Sequence, residues 1–467
     1  MQDHRKTRFF RHRCHISCSP YALSSKFLVS PVVASKATGH WFFSSNEVPA
    51  CVVEVGSPGD VSIALRVIGA DRASFAVMSG GHASNPGFSS TKGVHVSLRK
   101  LSQVVLSPDK RTVEVGFGQK WLDVFRKLDG TDYNVVGGRV PGPGVGGFTL
   151  GGGYSWKTNQ YGLTCDTVEI FNLVLPNGTI TTASKSFNKD LFFALKGGMN
   201  RFGIVTSAVF VTHKQPKVYG GLIVYPSYSV AALLNETIKF HSSSTDKKTQ
   251  IITTIGGSPS GNTALALFFH DGPDQPQSLK TFENIPHLVS TLKSQSFLSL
   301  VESIPSELAQ VANVRGAFAT FSTSDITANF VFAIKEECDR LGDLMLLHSG
   351  ITVSYDIEPF TKYGQFGTES AYPHGHSPLP LNLYFSWLNE WDDDFWHAQM
   401  RASIERMKKV AIEDGIYDDS FTQYPNYALS GATAEDIYGE ENAARLRDIR
   451  WRIDPERVMD LAGGFDI

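Results

Sequence analysis

From residue 51 onward the apolar and polar positions fall into two periods, one of strands and one of helices. "CVVEV" is a short apolar run of strand length, and "PGDVSIALRVIGA" then sets Val61, Ala64, Leu65 and Ile68 on one helical face at i, i+3, i+4, i+7. "FAVM" predicts a second strand, so residues 51–78 read as a β-α-β unit, and "GVHVSL" predicts a third strand. "QVVLS" and "TVEVGFG" pair as a hairpin across Pro108-Asp109-Lys110. "WLDVFRKLDG" puts Trp121, Val124, Phe125 and Leu128 on one helical face and stops at Gly130. "VEIFNLVL" and "TITTA" flank the hairpin signal Pro176-Asn177-Gly178, and "FGIVTSAVFVT" closes this half near residue 212.

The pattern changes between about 218 and 420. "GGLIVYP", "QIITTIG", "ALALFFH", "ITVSYDIEP" and "LNLYFSWLN" read as strands mixed with helices, the longest running from Asp392-Asp393-Asp394 to Gly415. This predicts an antiparallel sheet covered on one face by helices, an α+β arrangement. After "YPNYALS" the chain reads as a loop and a short helix ending in glycines. Four parts result: a leader over 1–44, a first domain over 45–215, a second over 216–420, and a closing segment over 421–467.

Composition narrows the class. At 467 residues the chain exceeds what one core usually holds. A net charge of -3 gives no reason to expect nucleic acid or an anionic membrane as partner, and no apolar run reaches the length of a membrane span. Five cysteines (Cys14, Cys18, Cys51, Cys165, Cys338) show no metal-ligand spacing; they allow one disulfide but not a disulfide scaffold. Asn177-Gly178-Thr179 and Asn235-Glu236-Thr237 are sequons, informative only in a secreted chain. Arg5, Lys6, Arg8, Arg11 and Arg13, with no acid between Asp3 and Glu47, compose either a mitochondrial-type presequence or an unstructured leader. Localisation stays open.

Three motifs carry candidate chemistry. Ser79-Gly80-Gly81-His82 ends a strand with glycines that let backbone N–H groups turn toward an anion, leaving the histidine beside it; the alternative is a tight turn. Gly142-Pro143-Gly144-Val145-Gly146-Gly147 satisfies G-x-G-x-x-G, with Asp166 downstream. Pro141 and Pro143 interrupt its entry, and Gly151-Gly152-Gly153 stands where a dinucleotide helix should run. An extended backbone beneath a planar ligand is the better reading than a nicotinamide site. Tyr424-Pro425-Asn426-Tyr427 brings a phenol and an amide to a bend, or is a packed corner.

In this order the stretches "SGGHASNPGFSS", "VVGGRVPGPGVGGFTLGGGYSWKTNQYGLTCDTVE", "LVLPNGTITTASKSFNKDLFFALKGGMNRFGIVTSAVF" and "YPNYALS" resemble the FAD-linked oxidoreductases of the berberine bridge enzyme type, fungal members above all. The resemblance implies the p-cresol methylhydroxylase (vanillyl-alcohol oxidase) fold: a two-part FAD-binding domain over 45–215, a substrate domain over 216–420, and a segment over 421–467 that returns to the FAD domain. It implies FAD linked once through His82, with Ser79, Gly80 and Gly81 on the pyrophosphate. It further implies Gly144, Val145, Gly146, Gly147, Gly151 and Gly153 along the flavin, Gly203, Ile204 and Val205 near the adenosine half, and Asn426 near the isoalloxazine. Tyr154 and Tyr427 are the implied catalytic residues, while Tyr384 and Asp356 either face the flavin or are ordinary sheet residues. Where some relatives carry a second linking cysteine this chain has Val140, and Cys165 is expected in the core. The activity implied is hydride removal from an alcohol or secondary metabolite, with O2 or another acceptor taking the electrons. The alternative is a silent flavin- or small-molecule-binding protein.

Overall fold

The computed structural model describes residues 27–28, 38–305 and 314–467, so most of the leader, with Cys14 and Cys18, lies outside the described residues. Strands β1 (Cys51–Glu54), β2 (Phe75–Met78) and β3 (Val94–Ser97) form a parallel group in which β3 is central, and a two-residue strand at Phe27–Leu28 adds an antiparallel edge to β1. Helix α1 (Pro58–Asp71) connects β1 to β2. The Ser57 hydroxyl accepts from the Asp60 N–H at 3.2 Å to start it, and Arg72 in the left-handed region stops it. Strands β4 (Val104–Leu106) and β5 (Thr112–Gly116), helix α2 (Trp121–Leu128), then β6 (Val168–Val174), β7 (Ile180–Ser184) and β8 (Ile204–Val211) follow. The strands make a five-stranded antiparallel sheet in the order β4-β5-β8-β6-β7.

The second part is one large antiparallel sheet. Its main strands are β9 (Val218–Tyr225), β10 (Thr249–Gly257), β11 (Thr263–His270), β12 (Arg315–Thr323), β13 (Gly350–Ile357) and β14 (Leu379–Trp387), ordered β9-β11-β10-β13-β14-β12. Helices 328–342 and 393–413 cover one face. Toward them point Val353, Tyr355 and Ile357 of β13, all buried, with the Tyr355 hydroxyl 2.5 Å from Ser403 Oγ. The alternate residues of the same strand, Thr352, Ser354 and Asp356, line a cavity on the other face.

The α+β architecture agrees with the sequence reading; several local expectations do not. Residues 144–153 do not run as extended backbone: Val145–Leu150 closes a six-residue helix, ended by Gly152 (φ +106°) and Gly153 (φ +92°). The closing helix is long, Ala434–Ile453, with a Thr433–Asp436 capping box and a kink at Gly439 (φ +71°). Strand β12 was not foreseen. Cys51, Cys165 and Cys338 are all buried. Residues 40–44, placed in the leader from the sequence, pack into the molecule: Trp41 and Phe42 join Val314 and Phe318 in an apolar cluster. Among the described residues no helix is long and apolar enough to cross a membrane, and no group of His, Cys, Asp or Glu has the makings of a metal site.

Candidate active site

A cavity of about 880 Å³ runs between the open face of the large sheet and the two smaller sheets. One wall is backbone. The chain leaving β2 turns at Ser79-Gly80-Gly81-His82 and touches the loop before Val145 so closely that a Cβ on Gly80 would stand 2.4 Å from Gly144 Cα, and one on Gly144 2.2 Å from Gly80 N. Only glycine on both sides permits this approach. The Ser79 hydroxyl ties the loops together, donating to Phe117 O at 2.5 Å and accepting from the Gly146 N–H at 3.1 Å. Gly81 (φ +73°) accepts from the Trp41 N–H at 2.7 Å. Among the described residues the N–H groups of Gly80, Gly81 and His82 meet no acceptor.

His82 stands at the edge of this wall. Its ring is stacked between Trp41 (4.7 Å between centroids) and Phe318 (5.7 Å, nearly parallel). Its Nε2 is buried with no hydrogen-bond partner among the described residues. Burial, aided by the Lys120 charge, lowers the imidazole pKa to about 4, so the ring is neutral at pH 7 and keeps a lone pair.

The other glycine-stretch residues divide. Gly144, Gly146 and Gly147 line the cavity, and a side chain at Gly147 would enter open space. Val145 is turned into the core. Gly151 and Gly153 do not line the cavity. Gly151 backs onto the Asn426 amide, where a Cβ would be 2.3 Å from Oδ1, and Gly153 packs on the Phe148 ring. Gly203 (φ +122°), Ile204 and Val205 line the cavity, as does Asn426, whose amide donates to Phe148 O at 3.1 Å and the Tyr424 hydroxyl at 2.8 Å.

The opposite wall is made of side chains. Asp356 and Tyr384 both line the cavity. Asp356 accepts from Thr254 Oγ1 at 2.6 Å and Asn382 Nδ2 at 2.8 Å; burial raises its pKa against those bonds and against Arg139. Glu358, one strand repeat further, pairs bidentately with Arg139, with Nη2 to Oε1 at 3.0 Å. The Tyr427 hydroxyl sits between them, accepting from Arg139 Nη2 at 3.0 Å and donating to Glu358 Oε1 at 3.4 Å. Burial raises Glu358 above the usual carboxylate range, with Arg139 opposing.

Tyr154 needs revision as a proton-transfer group. Its ring lines the cavity, but its hydroxyl turns into a buried cluster, 2.5 Å from the Tyr363 hydroxyl and 3.2 Å from Pro378 O. Burial, with Tyr363 and Tyr372 adding to it, pushes this phenol well above its ordinary range. Sequence reading missed Arg139, Glu358, Thr254 and Asn382. The alternation Ser354-x-Asp356-x-Glu358 was the available signal for Glu358; Arg139 left none.

Comparison with known proteins places the chain among flavoproteins. The FAD binding domain family matches residues 49–184. An FAD-dependent monooxygenase of Fusarium proliferatum is 31% identical over 440 residues, 89% of this chain and 84% of that protein. Among solved structures, 6-hydroxy-D-nicotine oxidase of Arthrobacter nicotinovorans superposes with a TM-score of 0.78 at 18% identity, covering 96% of this chain and 99% of that one. Glucooligosaccharide oxidase of Acremonium strictum, described with a 6-S-cysteinyl, 8α-N1-histidyl FAD, gives 0.74 at 18% identity, covering 93% and 95%.

Proposed function

The chain belongs to the FAD-linked oxidoreductases of the berberine bridge enzyme type, and from that premise we propose that it oxidises a small molecule at a carbon bearing a hydroxyl or similar group, with FAD linked once through His82. The residues present fit the cofactor. Among the described residues, a neutral imidazole with an unpartnered Nε2 stands beside N–H groups that meet no acceptor, on a wall where Gly80 and Gly144 touch too closely for a Cβ on either, and a side chain at the neighbouring Gly147 would enter open space. Val140 also lines the cavity and has no sulfur to offer a second, cysteinyl link, so His82 would be the single covalent anchor. Bound there, FAD supplies a two-electron acceptor for hydride from a substrate carbon, the electrons passing on to O2 or another acceptor.

The chain's own part is the proton. A phenol raised by burial is a poor base alone, but Tyr427 does not have to ionise. As the substrate O–H gives its proton to the Tyr427 oxygen, the Tyr427 proton passes to Glu358 Oε1, and Tyr427 ends neutral. Arg139 holds both partners and offsets the carboxylate charge before transfer. Asp356 and Tyr384 are left to orient the substrate, and Tyr154 to shape the pocket.

The observation that supports this reading is the hydrogen-bonded triad of Arg139, Tyr427 and Glu358 on a cavity that His82 also lines. Its test is anaerobic flavin reduction by an alcohol that bleaches the wild-type flavin. Tyr427→Phe and Glu358→Gln should each slow it roughly 10²- to 10³-fold with FAD retained. Unchanged reduction in both would remove the relay.

A further inference from the structure

The register of the large sheet orders the cavity floor from apolar to polar. One lateral row, read through the strand pairings, runs Val224 (β9), Leu265 (β11), Thr254 (β10), Asp356 (β13), Asn382 (β14). The row below it runs Leu222, Leu267, Ile252 on the same first three strands. At the far side the row above runs Gly256, Ser354, Tyr384, Phe318, ending on the ring against which His82 stacks. The β9 side is thus aliphatic, the β13–β14 side is polar, and His82 and the proton relay stand at the polar side. Leu222, Val224 and Leu265 are only half-buried although they sit within the cavity lining. Four strand gaps of ~4.8 Å place the β9 and β14 sides roughly 19 Å apart.

We propose that the substrate is amphipathic: a hydroxyl-bearing head oxidised over Asp356 and Tyr384, and an aliphatic body that lies across Val224, Leu265, Leu222 and Ile252. This rests on the proposed oxidase reading and adds the substrate's chemical class to it. A molecule hydroxylated along its whole length would leave its far hydroxyls against Leu222, Val224 and Leu265 without partners, at a cost in affinity. A body of methylenes instead covers those half-buried side chains, each buried CH₂ contributing about 0.8 kcal/mol.

The test uses the flavin-loaded protein and primary n-alkanols from butanol to decanol, with cellobiose as the hydroxylated control, followed by isothermal titration calorimetry. Affinity should rise up to about fourfold per added methylene, and cellobiose should bind more weakly than octanol. Leu265→Asn, or the milder Val224→Thr should the first fail to fold, should flatten the chain-length dependence, the loss in affinity growing from butanol to decanol. Affinity independent of chain length, no binding of any alkanol, or cellobiose binding more tightly than octanol would overturn the proposal. Protein that carries no flavin would instead defeat the oxidase reading itself, a failure visible in its absorbance before any alkanol is added.

Discussion

The two walls of the cavity are built by different rules. The wall at Gly80 and Gly144 is backbone: its shape exists because two chains approach within a distance that no side chain survives. The wall at Asp356, Glu358 and Tyr384 is side chain, set on strands or just past a strand's end, where the backbone would accept many residues. A group recognised by backbone demands glycine at fixed places, so its wall leaves a motif. A substrate recognised by side chains demands only an alternation, so its wall leaves a period of two and no signature. The first wall is fixed in chemistry; the second is free to change substrate.

Substitution in the backbone wall should therefore be the most damaging. Gly144→Ala drives a Cβ into Gly80 N and should cost about 3 kcal/mol or more, seen as a lowered Tm together with loss of bound flavin. Full flavin content in a variant of wild-type Tm would show that the two loops give way freely. In the side-chain wall the effect should fall on rate and not on folding. Glu358→Gln should retain flavin and lose the low-pH limb of kcat/KM. The sign follows from the relay: the base must be ionised, so wild-type activity falls as pH drops through the Glu358 pKa. Burial holds that pKa up, so the fall should begin above the pH expected of an ordinary carboxylate near 4.3. A wild-type limb unchanged in Glu358→Gln would assign the titration to another group, Asp356 first.

The smallest effect should come from Tyr154→Phe. Its hydroxyl serves the Tyr363 and Pro378 cluster and not the relay, so flavin reduction should change by less than about tenfold, the range of a lost neutral hydrogen bond. A loss as deep as that of Tyr427→Phe would return Tyr154 to the chemistry.

The same division governs what the sequence made legible. His82, the glycine loops and the strands from 51 to 212 could be read because each is local: a motif, a period or a turn signal. Asp356 and Tyr384 were visible only as candidates, because their facing depends on which side of the sheet the helices cover. Arg139 was hidden because its partner Glu358 lies 219 positions away and nothing periodic surrounds it. Strand β12 escaped because "RGAFATFST" is buried along nearly all its length, so it shows no polar alternation. The closing helix was cut short because Gly439 kinks it and breaks its apolar phase. The extended run expected at 145–150 coiled instead, since Pro and Gly before and after it leave six residues free to close a turn.

The central claim, a single flavin bond at His82, is tested most directly on purified wild-type protein and His82→Ala, each acid-precipitated, digested with trypsin and read by absorbance and peptide mass. The account predicts a yellow wild-type pellet with one flavin adduct on the peptide holding His82, and a colourless His82→Ala pellet with free FAD in the supernatant. Free FAD from the wild type, or an adduct on any other peptide, would contradict it.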